Sequence, residues 1–157
     1  MADQNCLIQA RATFDVLCKT FDSHGWSYER DSEKLKIKCS ATGEDLPVSM
    51  VIVVDAERML VTLASYIPVS IPQDKRIDVA IGVCKINDCL VDGSFDYDVI
   101  EGNVFFRMTN SFVESLLDAE VFEYMLSCSF ATIDEYNDKL LMLANGTISL
   151  DKFLELV

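Results

Sequence analysis

The sequence predicts an α+β fold built on a mostly antiparallel sheet. Three observations support this class: apolar residues recur at helical spacing in several segments, apolar runs of strand length lie between them, and these runs follow one another instead of alternating strictly with helices. The chain has 157 residues and half of them are hydrophobic, which suffices for one ordinary domain with a full core. We therefore expect residues 1–157 to form a single domain with the element order α-β-β-β(β)-α-β-β-α-α.

The first element is a helix over residues 3–22. Its apolar side chains share one side at helical spacing, namely Leu7, Ile8, Phe14, Leu17, Cys18 and Phe21. Asp3 is suited to cap the N-terminus, and Gly25 is suited to end the helix. His24, which is the only histidine, lies beside this stop. A histidine near a helix C-terminus is favoured by the helix dipole, so we assign it a structural role.

Two shorter strands follow the first helix. Residues 26–30 form a short strand, and residues 35–39 form a second one in which apolar positions alternate with lysines. This alternation predicts one apolar side and one basic side. Residues 41–45 then read as a turn, since they contain glycine and two acids.

The next two strands are strongly apolar and cover residues 47–54 and 59–67. They are joined by the polar loop 55–58, which has the length of a hairpin connection. Both strands carry apolar residues on both sides, so we expect them to be central in the sheet and covered by helices. Pro68 and Pro72 mark a break after them.

The second helix, over residues 73–90, carries two apolar stripes. One stripe consists of Ile77, Ala80, Ile81 and Cys84. The other consists of Val79, Val83, Ile86 and Leu90. A helix that is apolar on two sides is buried on two sides. Either its own domain covers both stripes, or one faces another subunit, and for that case the second stripe is our candidate partner or dimer interface.

The second half of the chain contains a hairpin and two helices. Residues 94–100 and 104–109 form the hairpin, with its turn at 101–103. A long amphipathic helix covers residues 118–145, and a short helix covers residues 149–157. No internal repeat or linker interrupts this order, which agrees with one domain.

The composition is strongly acidic, with 26 Asp and Glu residues against 13 Lys and Arg residues and a formal net charge of -13. A surface this negative repels phosphate groups, so we expect no nucleic-acid partner and no binding to anionic membranes. The charge favours a basic or amphipathic protein partner. Acids that only maintain solubility would give the same balance.

The cysteines and the chain start indicate a cytoplasmic protein. Six cysteines are present, but the sequence opens without a basic start or an apolar signal segment, so we expect reduced thiols. There is no Cys-x-x-Cys pair and only one histidine, which disfavours structural zinc. No apolar run approaches the roughly 20 residues that a transmembrane helix needs.

The most plausible charged site consists of Asp92, Asp96, Asp98 and Glu101. Oxygen ligands suit calcium or magnesium, but the spacing does not fit a twelve-residue calcium loop. Asp96 and Asp98 share one side of a strand, which is equally typical of an exposed surface. Phosphate-binding glycine loops and nucleophile-elbow motifs are absent. We therefore expect no catalytic residues, no cofactor and no metal.

Several short motifs occur in a fixed order between residues 77 and 153. They are Ile86-Asn87, Gly93-Ser94-Phe95-Asp96-Tyr97-Asp98, Glu101-Gly102-Asn103, Val104-Phe105-Phe106-Arg107, Ala131-Thr132, Ile133-Asp134-Glu135-Tyr136 and Asn145-Gly146. As an ordered set they resemble the YbjN-type family of bacterial sensory transduction regulators. The first half of the chain agrees with that family in its element order.

The resemblance implies a fold similar to type III secretion chaperones, in which helices flank a twisted antiparallel sheet. Such chaperones are small, acidic, non-enzymatic and usually dimeric, and they hold partly unfolded client segments against hydrophobic grooves. It thus implies a protein client or partner, with a homodimer as one form, and it supplies no catalytic residues. Fold likeness alone does not transfer function.

Three hypotheses follow. The first is a non-enzymatic protein-binding module, chaperone-like or regulatory. The second is a small-ligand sensor with a pocket between sheet and helix. The third is a metal-assisted enzyme that uses the acids between Asp92 and Glu101.

Overall fold

The computed structural model describes residues 3–42 and 46–157. Within them, four α-helices and six strands follow the predicted order. The helices are α1 (Gln4–His24), α2 (Arg76–Cys89), α3 (Ala119–Ala144) and α4 (Leu150–Leu156), with a single 3₁₀ turn (Gln73–Lys75) leading into α2. The strands are β1 (Glu29–Asp31), β2 (Lys36–Thr42), β3 (Pro47–Asp55), β4 (Leu60–Ser70), β5 (Ser94–Asp98) and β6 (Asn103–Ser111). The α+β class is confirmed.

All six strands join one antiparallel sheet in the order β1-β2-β3-β4-β6-β5. The apolar strands β3 and β4 are central, as their composition predicts. The β5–β6 hairpin is attached through β6, which pairs with β4. This order places β1 and β5 at the two edges of the sheet.

In the part of the chain that the structure describes, the helices cover one face of the sheet and leave the other open. On that inner face, which points towards the helices, the alternate residues of β3, β4 and β6 are buried. They lie between Val48 and Val54 on β3, between Val61 and Ile67 on β4, and between Val104 and Met108 on β6. On the opposite, outer face no described strand residue is buried. The expectation that helices cover both faces of the central strands is therefore wrong. An antiparallel sheet can leave one face in water, and apolar residues there are only half-buried.

β2 and β4 extend furthest beyond their predicted ends, to Thr42 and Ser70. β2 continues through Ala41 and Thr42, which the sequence assigns to a turn, and the other predicted turn residues, 43–45, lie outside the described residues. β4 continues through Pro68, where the sequence predicts a break. The pairing with β6 shifts register between Tyr66 and Ser70. A bulge of this kind accommodates a residue that lacks a backbone N–H.

The ends of α1 agree with the sequence. The Asp3 carboxylate accepts a hydrogen bond from the Asn5 N–H at 2.9 Å. Gly25 follows the helix with a φ of 66°, a left-handed conformation that glycine adopts without strain. His24 Nδ1 lies 2.9 Å from the Thr20 carbonyl oxygen. This contact gives His24 the predicted structural role at the helix end.

Helix α3 is the centre of the helical layer. It contacts β4, β6 and the other three helices. Within the core, the hydroxyl oxygens of Ser65 on β4 and Ser129 on α3 are 2.7 Å apart, so each buried hydroxyl has a partner. Over the described residues, none of the helices is long and apolar enough to span a membrane.

Helix α4 is held by one fully buried side chain, Phe153, which packs against α2 and the end of α3. We expect Phe153→Ala to lower the free energy of unfolding by about 3–5 kcal/mol, because it removes apolar burial and leaves a cavity. Leu156→Ala on the exposed side of α4 is the matched control, with an expected loss below about 1 kcal/mol. Urea denaturation measures both, and equal losses would show that α4 does not dock as described.

Candidate functional site

The two apolar stripes of α2 differ in burial. Val79 and Ile86 are fully buried, Val83 is 5% exposed, and Leu90 packs against the core at the end of the helix. Their burial follows from the packing of α2 against α3, α4 and β5. Within the chain, the stripe predicted as a partner interface is thus occupied by the protein's own core.

The other stripe lies on the opposite side of α2 and remains accessible. Ile77 is 65% exposed, Ile81 is 43% exposed, Cys84 is exposed, and Ala80 is half-buried between them. We call these four residues the outer face of α2. The sequence located both stripes but left their assignment open.

A glycine in α2 is the signal that distinguishes the two sides. A Cβ atom at position 82 would lie 2.9 Å from Leu143 and 3.0 Å from Phe153. Only glycine permits this close approach of α3 and α4. Since Gly82 lies on the same side as Val79 and Ile86, it marks the inner side of the helix, and this signal is present in the sequence.

The turn between β5 and β6 adds two exposed apolar residues at the start of α2. Val99 and Ile100 are 43% and 80% exposed. The Arg76 guanidinium donates hydrogen bonds to the carbonyl oxygens of Val99 and Glu101, each at 3.3 Å, and also to that of Ile100. A further bond of 3.3 Å reaches the Ile71 carbonyl oxygen. Arg76 therefore fixes the turn beside the outer face of α2.

The acids proposed as a metal site do not converge. Arg107 Nε donates to Asp96 at 2.7 Å, which forms an ion pair across β5 and β6. The Asp98 carboxylate accepts hydrogen bonds from the N–H groups of Ile100 and Glu101 and so shapes the hairpin turn. Both acids thus have local structural partners.

Asp92 is engaged elsewhere. The Tyr124 hydroxyl donates to its carboxylate at 3.0 Å, and this hydrogen bond raises the pKa of Tyr124. The Gly93 N–H also donates to it at 2.8 Å. Among residues 3–42 and 46–157, no group of three or more histidine, cysteine or acidic side chains is placed to hold a metal ion.

A groove lies at the opposite end of the sheet, between β2, the end of α1 and the first half of α3. Its volume is about 490 Å³, within the range of ligand sites. Cys39 and Ala41 of β2 line its floor, and the walls carry the apolar side chains Phe21, Trp26, Leu126 and Phe130. Gly25, Ser27, Ser40, Ser127 and Glu123 complete the lining. We call this feature the β2 groove.

Small residues on β2 create the β2 groove. Cys39 pairs with Met50 and Ala41 pairs with Val48, so both point to the inner face of the sheet. Their neighbours on β3 are buried, whereas Cys39 and Ala41 are only half-buried. The sequence contained this signal as two small residues at inward positions, but it could not show that α1 and α3 leave a space opposite them.

One wall of the groove is held by aromatic contacts. The Trp26 ring stacks on His24 with centroids 4.4 Å apart and meets the edge of Phe21 at 5.3 Å. His24 Nε2 lies 3.4 Å from a Glu123 carboxylate oxygen on α3. These contacts tie the loop after α1 to α3 and keep Trp26 over the groove.

The sequence comparisons define a family. The family model described as "YbjN: Putative bacterial sensory transduction regulator" matches residues 13–142. The chain belongs to the YbjN family. The YbjN match includes α2, the β5–β6 turn and all the residues that line the β2 groove, and it ends before α4. Comparison with curated proteins gives no sequence match.

Solved structures share the fold of this YbjN family member. YbjN of E. coli, "a putative transcription regulator", has 12% identity and a TM-score of 0.58, over 85% of this chain and 92% of that one. The ExsC–ExsE complex contains a chain with 17% identity and a TM-score of 0.59, over 81% and 92%. The HopA1–SchA chaperone–effector complex contains one with 13% identity and a TM-score of 0.52, over 83% and 93%. The type III secretion chaperone-like fold is confirmed.

Arg76 gives the first prediction for this site. We expect Arg76→Ala to lower stability by about 1–3 kcal/mol, because it removes charge-assisted hydrogen bonds to the turn. Hydrogen exchange of the turn amides should accelerate in parallel. Arg58→Ala is the control, since Arg58 is 79% exposed and lies 3.9 Å from Asp55, and its loss should stay below about 0.5 kcal/mol. Indistinguishable exchange in the two variants would contradict the role of Arg76.

Cys39 gives the second prediction. Burial raises the pKa of its thiol from 9.0 to about 11, so less thiolate is present at pH 8 than in the unfolded chain. Part of that deficit is offset by the greater nucleophilicity of the more basic thiolate. We expect alkylation by iodoacetamide to be roughly ten-fold slower in the native protein than in urea, and to accelerate up to about pH 11. Peptide mass mapping measures this rate.

Exposed Cys84 is the internal control for that measurement, because folding leaves it accessible. Its alkylation should differ little between native protein and urea. Equal rates for Cys39 in both conditions would show that the groove floor is as accessible as an unfolded chain.

Proposed function

We propose that this chain is a non-enzymatic protein-binding module with a chaperone-like or regulatory role. The observation that carries the proposal is the outer face of α2, whose apolar side chains stay exposed although the inner stripe already fills the core. Covering an exposed isoleucine contributes about 1.5–3 kcal/mol. A cluster of such residues on one element is a typical protein contact surface.

The similar structures support a protein as the partner. Two of them are complexes of two proteins, ExsC with ExsE and HopA1 with SchA. The present chain shares their fold over more than four fifths of its length. Its net charge of -13 favours a partner that is basic or amphipathic and disfavours nucleic acid.

The interface that we propose differs from the stripe selected from the sequence. Val79, Val83 and Ile86 cannot reach a partner without leaving the core, so the outer face of α2 takes their place. The exposed turn residues Val99 and Ile100 extend this surface. A second copy of the chain is one partner that it would accept, because an apolar helix stripe can pack on itself around a two-fold axis.

The chemistry of the described side chains supports a role without catalysis. The acids near the β5–β6 hairpin are engaged in turns and ion pairs. The Cys39 thiol is held protonated by burial, and a thiolate is what a nucleophile would require. His24 is engaged at the end of α1. We also infer a cytoplasmic location, in which the free thiols of Cys84 and Cys89 stay reduced.

The experiment that tests the interface is a double substitution, Ile77→Asp with Ile81→Asp. We expect it to abolish capture of a partner from a native lysate, or to convert a dimer to a monomer on a sizing column, because two buried carboxylates oppose association. Folding should be retained, since both side chains point into solvent.

Val113→Asp is the matched control, because it adds a charge at an exposed apolar residue away from α2. It should leave partner capture and elution volume unchanged. If the double variant keeps the same partner and the same size as the wild type, the outer face of α2 is not the interface.

A further inference from the structure

The β2 groove carries its charge at one place. Its walls are mainly apolar, and burial raises the pKa of the Cys39 thiol to about 11, so the floor is neutral at physiological pH. Of the described residues that line the groove, only Glu123 carries a charge. The Glu123 side chain is 43% exposed, which places it at the mouth. The groove therefore presents one negative group beside an apolar chamber.

The Glu123 carboxylate has acceptor capacity to spare. Its Oε1 atom lies 3.4 Å from His24 Nε2. Within residues 3–42 and 46–157, this ion pair is the one side-chain contact of the carboxylate. An ionised carboxylate offers about four lone-pair sites for hydrogen bonds. A donor group of a ligand can therefore bind Glu123 without displacing His24.

Trp26 is a second feature that favours a cation at this end of the groove. Its indole ring lines the groove and is 41% exposed. His24 stacks on the ring and also contacts Glu123, so the indole and the carboxylate are held near each other. The face of an indole attracts a cation more strongly than the ring of phenylalanine or tyrosine does. Two independent groups thus favour positive charge at the same place.

The apolar walls set a second requirement for a ligand. Phe21 and Leu126 are buried and Phe130 is half-buried, and all three line the space opposite Cys39 and Ala41. The volume of about 490 Å³ lies in the range of small-molecule sites. An aromatic ring in this space would remove apolar surface from water on both sides of the contact.

We propose that the β2 groove binds a small hydrophobic amine, with its apolar body between α1 and α3 and its ammonium group at Glu123 and Trp26. The ammonium donates to the carboxylate and faces the indole, and the body covers the apolar walls. Glu123 and the net charge of -13 repel an anionic ligand. A neutral apolar molecule would fit the walls but gain nothing from Glu123.

This site is separate from the outer face of α2. The two surfaces share no residue, since one lies on α1, β2 and α3 and the other on α2 and the β5–β6 turn. The Ile77→Asp, Ile81→Asp variant should therefore bind an amine with the affinity of the wild type. Failure of one surface leaves the other to be judged by its own measurement.

Trp26 is the only tryptophan of the chain and lines the groove, so its fluorescence reports occupancy directly. The probes are phenethylamine, phenethyl alcohol and phenylpropanoate, which carry a positive, a neutral and a negative group on the same phenylethyl body. We expect a saturable change of Trp26 emission. Phenethylamine should bind about five-fold more tightly than the alcohol, and phenylpropanoate should bind most weakly.

Butylamine separates a free amine from a lysine side chain of a partner protein, which it reproduces. It should bind about five-fold more weakly than phenethylamine, because it covers less of the apolar walls. Equal affinity for the two amines would overturn the proposal in favour of a lysine side chain.

Substitution of Glu123 tests the proposed contact. Glu123→Gln should reduce the preference for phenethylamine over phenethyl alcohol to less than about two-fold, because it removes the charge and keeps the shape of the side chain. Glu120→Gln is the matched control, since Glu120 is an exposed residue of the same helix that does not line the groove. It should retain the preference of the wild type. Circular dichroism shows whether each variant is folded.

The probe series on the wild-type protein decides the question even if a variant does not fold. Equal affinity for phenethylamine and phenethyl alcohol would overturn the assignment of an amine, and so would a preference that survives Glu123→Gln. An absence of any Trp26 response to phenethylamine at millimolar concentration would overturn the site itself.

Discussion

Burial of the inner sheet face beneath α1, α2 and α3 is the interaction on which the rest of the structure depends. It uses the alternate residues of β3, β4 and β6 and the inner stripe of α2, and it leaves the other faces of these elements to solvent. Because the hydrophobic effect is the largest favourable term in folding, this layer determines which surfaces remain available for binding. The outer face of α2 and the half-covered end of β2 are both consequences of it.

The two candidate surfaces differ in physical character. The outer face of α2 is a row of aliphatic side chains on a rigid helix, extended by a turn that Arg76 holds in place. Such a surface suits another helix or an amphipathic segment. The β2 groove is an apolar cavity beside the end of β2 that β1 does not reach.

Much of the fold could be predicted from the sequence because its periodic patterns are strong. The ends of α1 follow from Asp3 and Gly25, and the central place of β3 and β4 follows from their apolar composition. The exceptions have local causes. β4 passes through Pro68 because a bulge removes the need for its N–H, and propensity alone cannot anticipate that arrangement.

The site was less predictable, since it depends on which neighbours cover each residue. The acids from Asp92 to Glu101 are spaced in the sequence like a set of metal ligands. In the structure, Asp96 forms an ion pair with Arg107, and Asp98 accepts a hydrogen bond within the hairpin turn. Cys39 is one of several thiols in the sequence, and only the space that α1 and α3 leave opposite it places it on a groove floor. The spacing of residues in a sequence predicts which side chains share one face of a helix or strand. It does not predict which other element packs against that face.

The sequence by itself determined the α+β class, the order of elements, the acidic surface and the presence of two apolar stripes on α2, because these depend on local periodicity and composition. Only the tertiary structure decided which stripe is buried and which end of β2 is uncovered. The reason is that burial is a property of pairs of elements: Gly82 lets α4 and α3 close upon one side of α2, and the short β1 ends before it can close the edge of β2.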